Sequence, residues 1–260
     1  MLMAFALLFG LSAGAPIQLA ATAGTEVDVE LVLAVDVSGS MDAEEIAVQR
    51  SGYAEALRHP DFIDAVRSGL LGRVALSYFE WAGSVDGSSL VDWQLIETPA
   101  DADAFADRVS ARNVERRRGT SISSAIGYGT DLLHGNRFDA RRKVIDISGD
   151  GPNNAGQPVL PARDAALSTG IVINGLAIMI RPSGSVVGLD RYYGDCVIGG
   201  PGSFVLPVHD PADFTAAIRR KLVMEISALP PHKPAIVPIA APTPTDCMIG
   251  EKLRYGMLER

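Results

Sequence analysis

The sequence predicts an α/β fold, in which helices cover both faces of a mostly parallel central sheet that has one antiparallel edge strand. Apolar runs typical of strands buried on both faces alternate with helical segments along residues 29–226. A turn at 83–87 that contains two glycines separates two strand-like segments with no helix between them. Such a connection indicates an antiparallel pair at one edge of the sheet.

The first strand is predicted at 29–35, an almost unbroken apolar run that ends at Asp36. A helix follows at 43–57, with Asp42 as its N-cap, and a second, shorter helix covers 61–68. This order places the end of a buried strand next to the start of a helix, where open α/β sheets bind their ligands.

The antiparallel pair is predicted at 73–80 and 89–96, on either side of the glycine-containing turn. The later elements are helices at 100–111, 121–133 and 158–168, strands at 143–148, 171–178 and 204–208, and a final amphipathic helix at 210–226. Strand and helix therefore continue to alternate to the end of a single domain at 27–228.

The two ends of the chain differ from this domain. The first 25 residues carry no charged side chain, and small residues at 21–23 suit a signal peptidase, so residues 1–23 are predicted to be a signal peptide. Their apolar run is too short for a stable membrane span. Residues 229–260 form a Pro-rich tail, which is expected to lack regular helix or strand. The protein is therefore expected to be exported, periplasmic or secreted, in a bacterium.

The net charge and the cysteines bear on the kind of partner and on the cellular compartment. The net charge of −8 argues against nonspecific binding of nucleic acid, which requires basic side chains to neutralise phosphates. The two cysteines are Cys196 and Cys247. In an exported protein this even count favours a disulfide, whereas in a reducing cytosol two distant cysteines would usually be unrelated. The predicted bridge is therefore conditional on export.

Oxygen-bearing side chains follow three predicted strands or begin a helix beside them. Residues two apart in an extended loop face the same way, so Asp36, Ser38 and Ser40 can point at one centre. Thr120 adds a hydroxyl at the start of a helix, and Asp150 adds a second carboxylate after a neighbouring strand. A set of oxygen ligands with few charges suits a hard divalent cation such as Mg²⁺, Mn²⁺ or Ca²⁺.

The pattern resembles the metal ion-dependent adhesion site of the von Willebrand factor A superfamily. Its D-x-S-x-S motif is Asp36-Val37-Ser38-Gly39-Ser40, its separate threonine is Thr120 and its last aspartate is Asp150. The chain is also similar to a bacterial family of exported domains of unknown function with this fold, through segments 34–38, 79–81, 147–154 and 192–200. The resemblance implies a Rossmann-like fold and recognition rather than turnover, with an Asp or Glu of a protein or peptide partner completing the coordination of the ion.

Each of the five residues also has a purely structural interpretation. Asp36 or Thr120 could cap a helix, and Ser38, Ser40 and Asp150 could be turn residues. Their common order, which is that of the superfamily, favours one metal site over a set of independent structural roles. We expect Asn153 and Asn154 to order the loop after Asp150, the alternative being contact with the ligand, and we expect 116–118 to be a solvated basic loop near the rim.

Three functions remain in competition. The leading hypothesis is a metal-dependent binding module that is not an enzyme. The first alternative is a Mg²⁺-dependent hydrolase or phosphatase with Asp36 as nucleophile, although such enzymes characteristically carry a second carboxylate where this chain has Ser38. The second alternative is a structural envelope protein with a vestigial metal site. Binding of a partner that EDTA abolishes is expected only of the metal-dependent binding module.

Overall fold

The computed structural model describes residues 24–39, 41, 43–85, 87–112, 117–180, 188–227 and 245–258. The predicted signal peptide at 1–23 lies outside the described residues, as do Ser40, Asp42, Arg116 and most of the Pro-rich segment. In the part of the chain that is described, no helix is both long and apolar enough to cross a membrane.

One sheet of six strands forms the centre of the molecule, in the order β3-β2-β1-β4-β5-β6. The strands are β1 (Thr25–Asp36), β2 (Val74–Trp81), β3 (Val91–Ile96), β4 (Phe138–Gly149), β5 (Val172–Ile178) and β6 (Val205–Val208). The edge strand β3 pairs with β2 in antiparallel orientation, and the other neighbours are parallel. The predicted α/β fold, with its single antiparallel edge strand, is confirmed.

The helices are α1 (Ala43–Arg58), α2 (Pro60–Arg67), α3 (Pro99–Ser110), α4 (Ile122–His134), α5 (Val159–Ser168), α6 (Leu189–Tyr192), α7 (Phe214–Ser227) and α8 (Ile249–Leu258). A π-helical turn, Tyr193–Val197, continues from α6. Strand β4 begins at Phe138, earlier than its apolar segment predicts, because its polar first half lies at the exposed end of the sheet, where it pairs with β1.

The tail contains the clearest departure from the predicted structure. Regular structure was not expected anywhere in 229–260, yet α8 occupies Ile249–Leu258. The last proline is Pro244, so every residue of α8 has the main-chain N–H that a helix requires. The predicted disulfide is confirmed: it joins Cys196, in the π-helical turn, to Cys247, just before α8.

The sheet buries both of its faces. Leu31 and Leu33 of β1 belong to a core under α1, α2, α3 and α7, whereas Val32 and Ala34 belong to a second core under α4 and α5. This alternation explains the unbroken apolar run of β1, because every side chain of a central strand meets a covered face. The carboxyl ends of the parallel strands are left for polar loops.

A charged cluster is enclosed in the first core. Lys221 of α7 forms ion pairs with Asp146 of β4 and, at 2.7 Å, with Glu225 one turn further along the helix. Asn174 of β5 donates to Glu225 at 3.2 Å. All four residues are at most 2% exposed. We call Asp146, Lys221 and Glu225 the core triad.

Candidate metal centre

Asp36 is the last residue of β1 and its side chain is fully buried. Its Oδ1 accepts a hydrogen bond of 2.7 Å from the main-chain N–H of Ser38. The side chain of Val37 points away from this bond, into a small apolar cluster with Met41 and Ile46. The loop therefore alternates as the sequence predicts, with Asp36 and Ser38 on one side and Val37 on the other.

The second oxygen of the Asp36 carboxylate, Oδ2, is buried and has no hydrogen-bond partner. A buried carboxylate oxygen without a donor is unfavourable by about 1–3 kcal/mol or more. Gly149 lies directly against it, since a Cβ at position 149 would be 2.9 Å from Asp36 Oδ2. The site thus contains an unsatisfied negative atom and a close approach that only glycine permits, and both features fit a bound cation.

The surroundings of Asp36 raise its pKa well above the ordinary value. Burial is the largest cause and the negative charge of Asp150 is the second, while hydrogen bonds from Ser38 and from the main chain of Asp150 act in the opposite direction. Each unfavourable contribution would be reduced by a positive ion between the two carboxylates. This chain therefore brings Asp36 and Asp150 close enough to interact electrostatically, as the sequence predicts.

Asp150 immediately follows β4 and is half-buried. The parallel pairing of β4 with β1, which sets Ser148 opposite Val35, carries Asp150 to the same edge of the sheet as Asp36. Within the described ranges there is no cluster of three or more His, Cys, Asp or Glu side chains that could hold a metal ion. The predicted set is of a different type, because it combines two carboxylates with hydroxyl groups.

Thr120 is buried and lies just before α4. The N-cap of α4 is the neighbouring Ser121, whose Oγ accepts a hydrogen bond from Ser124 N at 3.3 Å. Capping therefore does not account for the Thr120 hydroxyl. Capping does not account for Asp36 either, because its bond to Ser38 N lies within the loop and α1 begins only at Ala43. Ser40 is the one predicted ligand outside the described residues.

The loop after β4, residues 150–155, is held by two asparagines. Asn154 Oδ1 accepts from Thr120 N at 2.9 Å, and Asn154 N donates to Thr120 O at 2.8 Å. Asn153 Oδ1 accepts from Ser123 N at 3.1 Å. The expectation that Asn153 and Asn154 order this loop by bonds from side chain to main chain is confirmed. These bonds also tie Thr120 to the loop that carries Asp150.

Arg117 belongs to the basic segment expected near the rim. Its main chain pairs with that of Ser38, so it supports the D-x-S-x-S loop directly. Its Nη2 donates to Ser88 Oγ at 3.0 Å. A cavity of about 170 Å³ opens here, lined by Val37, Glu80, Ser88, Ser89, Ala111, Arg112 and Arg117. Arg117 therefore lines a cavity beside the D-x-S-x-S loop.

Tyr193 is a member of the site that sequence reasoning did not select. It is fully buried, its hydroxyl has no hydrogen-bond partner, and a Cβ at Gly149 would be 2.6 Å from its Oη. Burial raises the pKa of Tyr193 well above the ordinary value, and the charges of Asp36 and Asp150 raise it further. Its segment, 192–200, carried the family resemblance, but nothing in the spacing of residues ties it to Asp36.

Comparison of the sequence with known families and proteins gives one match. A family model described as "Protein of unknown function (DUF1194)" matches residues 26–230. No curated protein matches the chain.

Solved structures with the same fold are more numerous. The pilus adhesin SpaC from Lactobacillus rhamnosus GG superposes with a TM-score of 0.54 at 15% identity, over 77% of this chain and 30% of SpaC. A von Willebrand factor type A protein from Catenulispora acidiphila superposes with a TM-score of 0.53 at 15% identity, over 77% of this chain and 43% of that protein. Proximal thread matrix protein 1 from the mussel byssus, with a zinc-occupied MIDAS motif, superposes with a TM-score of 0.52 at 13% identity, over 78% of this chain and 49% of that protein.

The likeness to these structures establishes the fold, which is that of a von Willebrand factor type A domain. This chain spans less than half the length of each of the three proteins. Identities of 13–15% carry the fold alone.

Proposed function

Because the chain belongs to the DUF1194 family, whose description assigns no function, we propose a function from the site itself. The protein is an exported binding module in which Asp36, Ser38, Ser40, Thr120 and Asp150 hold one divalent cation that engages a carboxylate of a protein or peptide partner. The observation that supports this most directly is Asp36 Oδ2, a buried carboxylate oxygen with no hydrogen-bond partner.

The donor set favours a hard cation. Carboxylate and hydroxyl oxygens are the ligands typical of Mg²⁺, Mn²⁺ and Ca²⁺, and the set has no sulfur or imidazole. Proximal thread matrix protein 1 carries zinc in its motif, so zinc belongs among the ions to be tested here. The cation would supply the positive charge that Asp36 and Asp150 need, and its remaining coordination positions would accept a ligand from outside.

The partner is proposed from the charge balance of the site. Two carboxylates balance the charge of a divalent ion, and the hydroxyls add none. An incoming Asp or Glu therefore meets no excess negative charge at the ion and can take one of its coordination positions. Asp36 is fully buried, but Asp150 is only half-buried, so the Asp150 side is the accessible one. SpaC, which shares the fold, is a pilus adhesin, and that supports an adhesive role for this module.

The same geometry favours recognition over turnover. An aspartate nucleophile must reach its substrate, whereas the Asp36 side chain is fully buried and one of its oxygens is already bonded to Ser38 N. Export is supported by the disulfide between Cys196 and Cys247, since such bonds persist in oxidising compartments. The proposed location is therefore the periplasm or the outside of the cell.

Metal binding is the first test. Titration of the purified protein with Mg²⁺, Mn²⁺, Ca²⁺ and Zn²⁺ in a calorimeter should give one site. Asp36→Asn should weaken it at least about tenfold, equivalent to about 1.4 kcal/mol. Asp139→Asn is the matched control, because Asp139 is exposed at the opposite end of β4. Equal affinity of the two variants for the metal would contradict the proposed ligand set.

Partner binding is the second test. Envelope extract passed over immobilised protein in the presence of the metal should leave a bound protein that EDTA releases. The same column made with Asp36→Asn should retain nothing. Retention that survives both EDTA and Asp36→Asn would exclude a metal-mediated contact. Metal-dependent cleavage of a phosphate ester, absent in Asp36→Asn, would instead support the hydrolase.

A further inference from the structure

The C-terminal helix α8 lies against the loop that carries Asp150. Gly250, in the first turn of α8, is so close to this loop that a Cβ there would be 2.1 Å from the main-chain oxygen of Asn153. Such a distance is far shorter than any van der Waals contact. The backbone of α8 therefore rests directly on the backbone of the 150–155 loop.

Side chains of α8 reinforce this contact. Glu251 Oε1 accepts a hydrogen bond of 2.7 Å from Asn153 Nδ2, and Glu251 is only 8% exposed. Arg254, one turn later, donates from Nη1 to Asn154 O at 3.0 Å. A buried carboxylate in a terminal helix is uncommon unless it is paired, and here its partner is the amide that orders the loop. The contact is thus polar and directional.

The two asparagines transmit this contact inward. Asn153 bonds to Ser123 N at the start of α4, and Asn154 bonds to both main-chain groups of Thr120. Thr120 and Asp150 are two of the five proposed ligands. Thr120 is therefore connected to α8 through Asn154, and Asp150 is connected to it through the main chain up to Asn153.

A covalent bond fixes α8 in place. Cys247, two residues before the helix begins, is joined to Cys196 in the π-helical turn. The hydroxyl of Tyr192 links the loop to Cys247: it accepts from Asn153 N at 3.2 Å and donates to Cys247 O at 3.4 Å. Through Tyr192, the 150–155 loop is therefore also connected to the disulfide-bonded residue Cys247.

We propose that α8 is a positioning element of the metal centre, in which Glu251 and Gly250, fastened by the Cys196–Cys247 disulfide, hold the 150–155 loop in its metal-binding geometry. The inference rests on the proposed function. Residues that orient metal ligands without touching the metal typically change its affinity by about 10–100-fold when they are removed. Glu251 acts through Asn153, and the disulfide acts through the start of α8.

The decisive comparison uses two glycines of one helix. At Gly250 a Cβ meets Asn153 O, whereas at Gly256 there is nothing within 4 Å. Both substitutions by alanine raise helix propensity equally. We expect Gly250→Ala to weaken metal binding about tenfold, as measured by calorimetry on the full disulfide-bonded chain, and Gly256→Ala to leave it unchanged. Equal affinities of the two variants, both matching the parent protein, would overturn the proposal.

A second pair of variants separates positioning from general packing. Glu251→Ala removes the acceptor for Asn153 Nδ2 and should weaken metal binding about tenfold. Glu251→Gln retains an oxygen acceptor and should restore most of the affinity. Free energies of unfolding in EDTA show whether each variant is folded. Equal weakening in Glu251→Ala and Glu251→Gln would overturn the role of the hydrogen bond.

Joint replacement of Cys196 and Cys247 by serine tests the fastening. We expect metal binding several-fold weaker than in the parent protein, with the α/β domain still folded. Unchanged affinity would show that the disulfide does not contribute. Failure of the parent protein to bind any of the four cations would instead overturn the proposed function, so the two failures are distinguishable.

Discussion

Asp146 and Glu225 lie in the first core on either side of Lys221, whereas Asp36 and Asp150 meet at the carboxyl edge of the sheet. Both pairs bring two carboxylates together in a largely water-excluded place. In the core triad the chain itself supplies the cation. At the edge, the strongest charge that acts on Asp36 is that of Asp150, which is also negative.

This difference indicates which of the two places is structural. A cation that belongs to the chain is present whenever the chain is folded, so the carboxylates of the core triad always have a counter-charge. At the edge, the charge that acts on Asp36 is that of another carboxylate, and under the proposed function an ion from solution would supply the positive charge. The proposal therefore assigns a structural role to the core triad and metal binding to the edge.

The largest effect is expected from removal of the internal cation. Lys221→Met leaves Asp146 and Glu225 buried without a counter-charge, which should lower the free energy of unfolding by about 3–5 kcal/mol in urea denaturation. Lys252→Met is the control, because Lys252 forms an exposed ion pair with Asp246 that contributes little to stability. Equal losses of free energy of unfolding in Lys221→Met and Lys252→Met would show that the core triad does not stabilise the fold as we describe.

The pH dependence of the core triad is the next largest effect. Burial, and then the charge of Asp146, raise the pKa of Glu225 from 4.5 to about 7. Between these values the unfolded chain loses the proton of Glu225 while the folded chain keeps it, so the free energy of unfolding falls as pH rises. The contribution of Glu225 to this fall should reach at most about 3 kcal/mol; its stabilisation is fully present below pH 4.5 and lost above about pH 7.

Denaturation in EDTA from pH 4.5 to pH 8 measures this fall, and Glu225→Gln should make it smaller by the contribution of Glu225. Glu55→Gln, which changes an exposed carboxylate of α1, should keep the slope of the parent protein. A slope that is the same in Glu225→Gln and in the parent protein would show that another group is responsible for the pH dependence.

The smallest effect concerns the edge site without metal. Tyr193→Phe removes a buried hydroxyl that has no hydrogen-bond partner, so in EDTA the protein should be unchanged or more stable by about 1 kcal/mol. Tyr192→Phe is the matched control and should lose about 1 kcal/mol, because its hydroxyl bonds to Asn153 N and Cys247 O. A destabilised Tyr193→Phe would mean that its hydroxyl is satisfied in solution.

Most of the fold could be predicted from the sequence, because its central strands are covered on both sides. Such strands are mostly apolar, and the apolar runs of β1 and β5 predict both strands. Strand β4 was predicted too short, since its first residues lie at an exposed end, where pairing rather than burial defines the strand. The helix α8 was missed because its ten residues follow a Pro-rich segment that dominates the composition of the tail.

The candidate site could be predicted only in part, and for a related reason. Asp36 and Ser38 are neighbours in sequence, so their alternation is visible without a structure. Tyr193 and Glu251 reach the site through the packing of α6, the π-helical turn and α8, at sequence distances that no short pattern records. Lys221 is equally invisible, because a lysine in an amphipathic helix normally faces solvent.

The bond between Cys196 and Cys247 also determines what a protease can do to this protein. A single cut anywhere between these residues leaves the two pieces joined, since the disulfide spans 51 positions of the chain. Nicked protein would keep its full mass on a gel without reductant and separate into two bands with it. The last helix would accordingly remain beside the 150–155 loop after such a cut, on a separate polypeptide joined by one sulfur–sulfur bond.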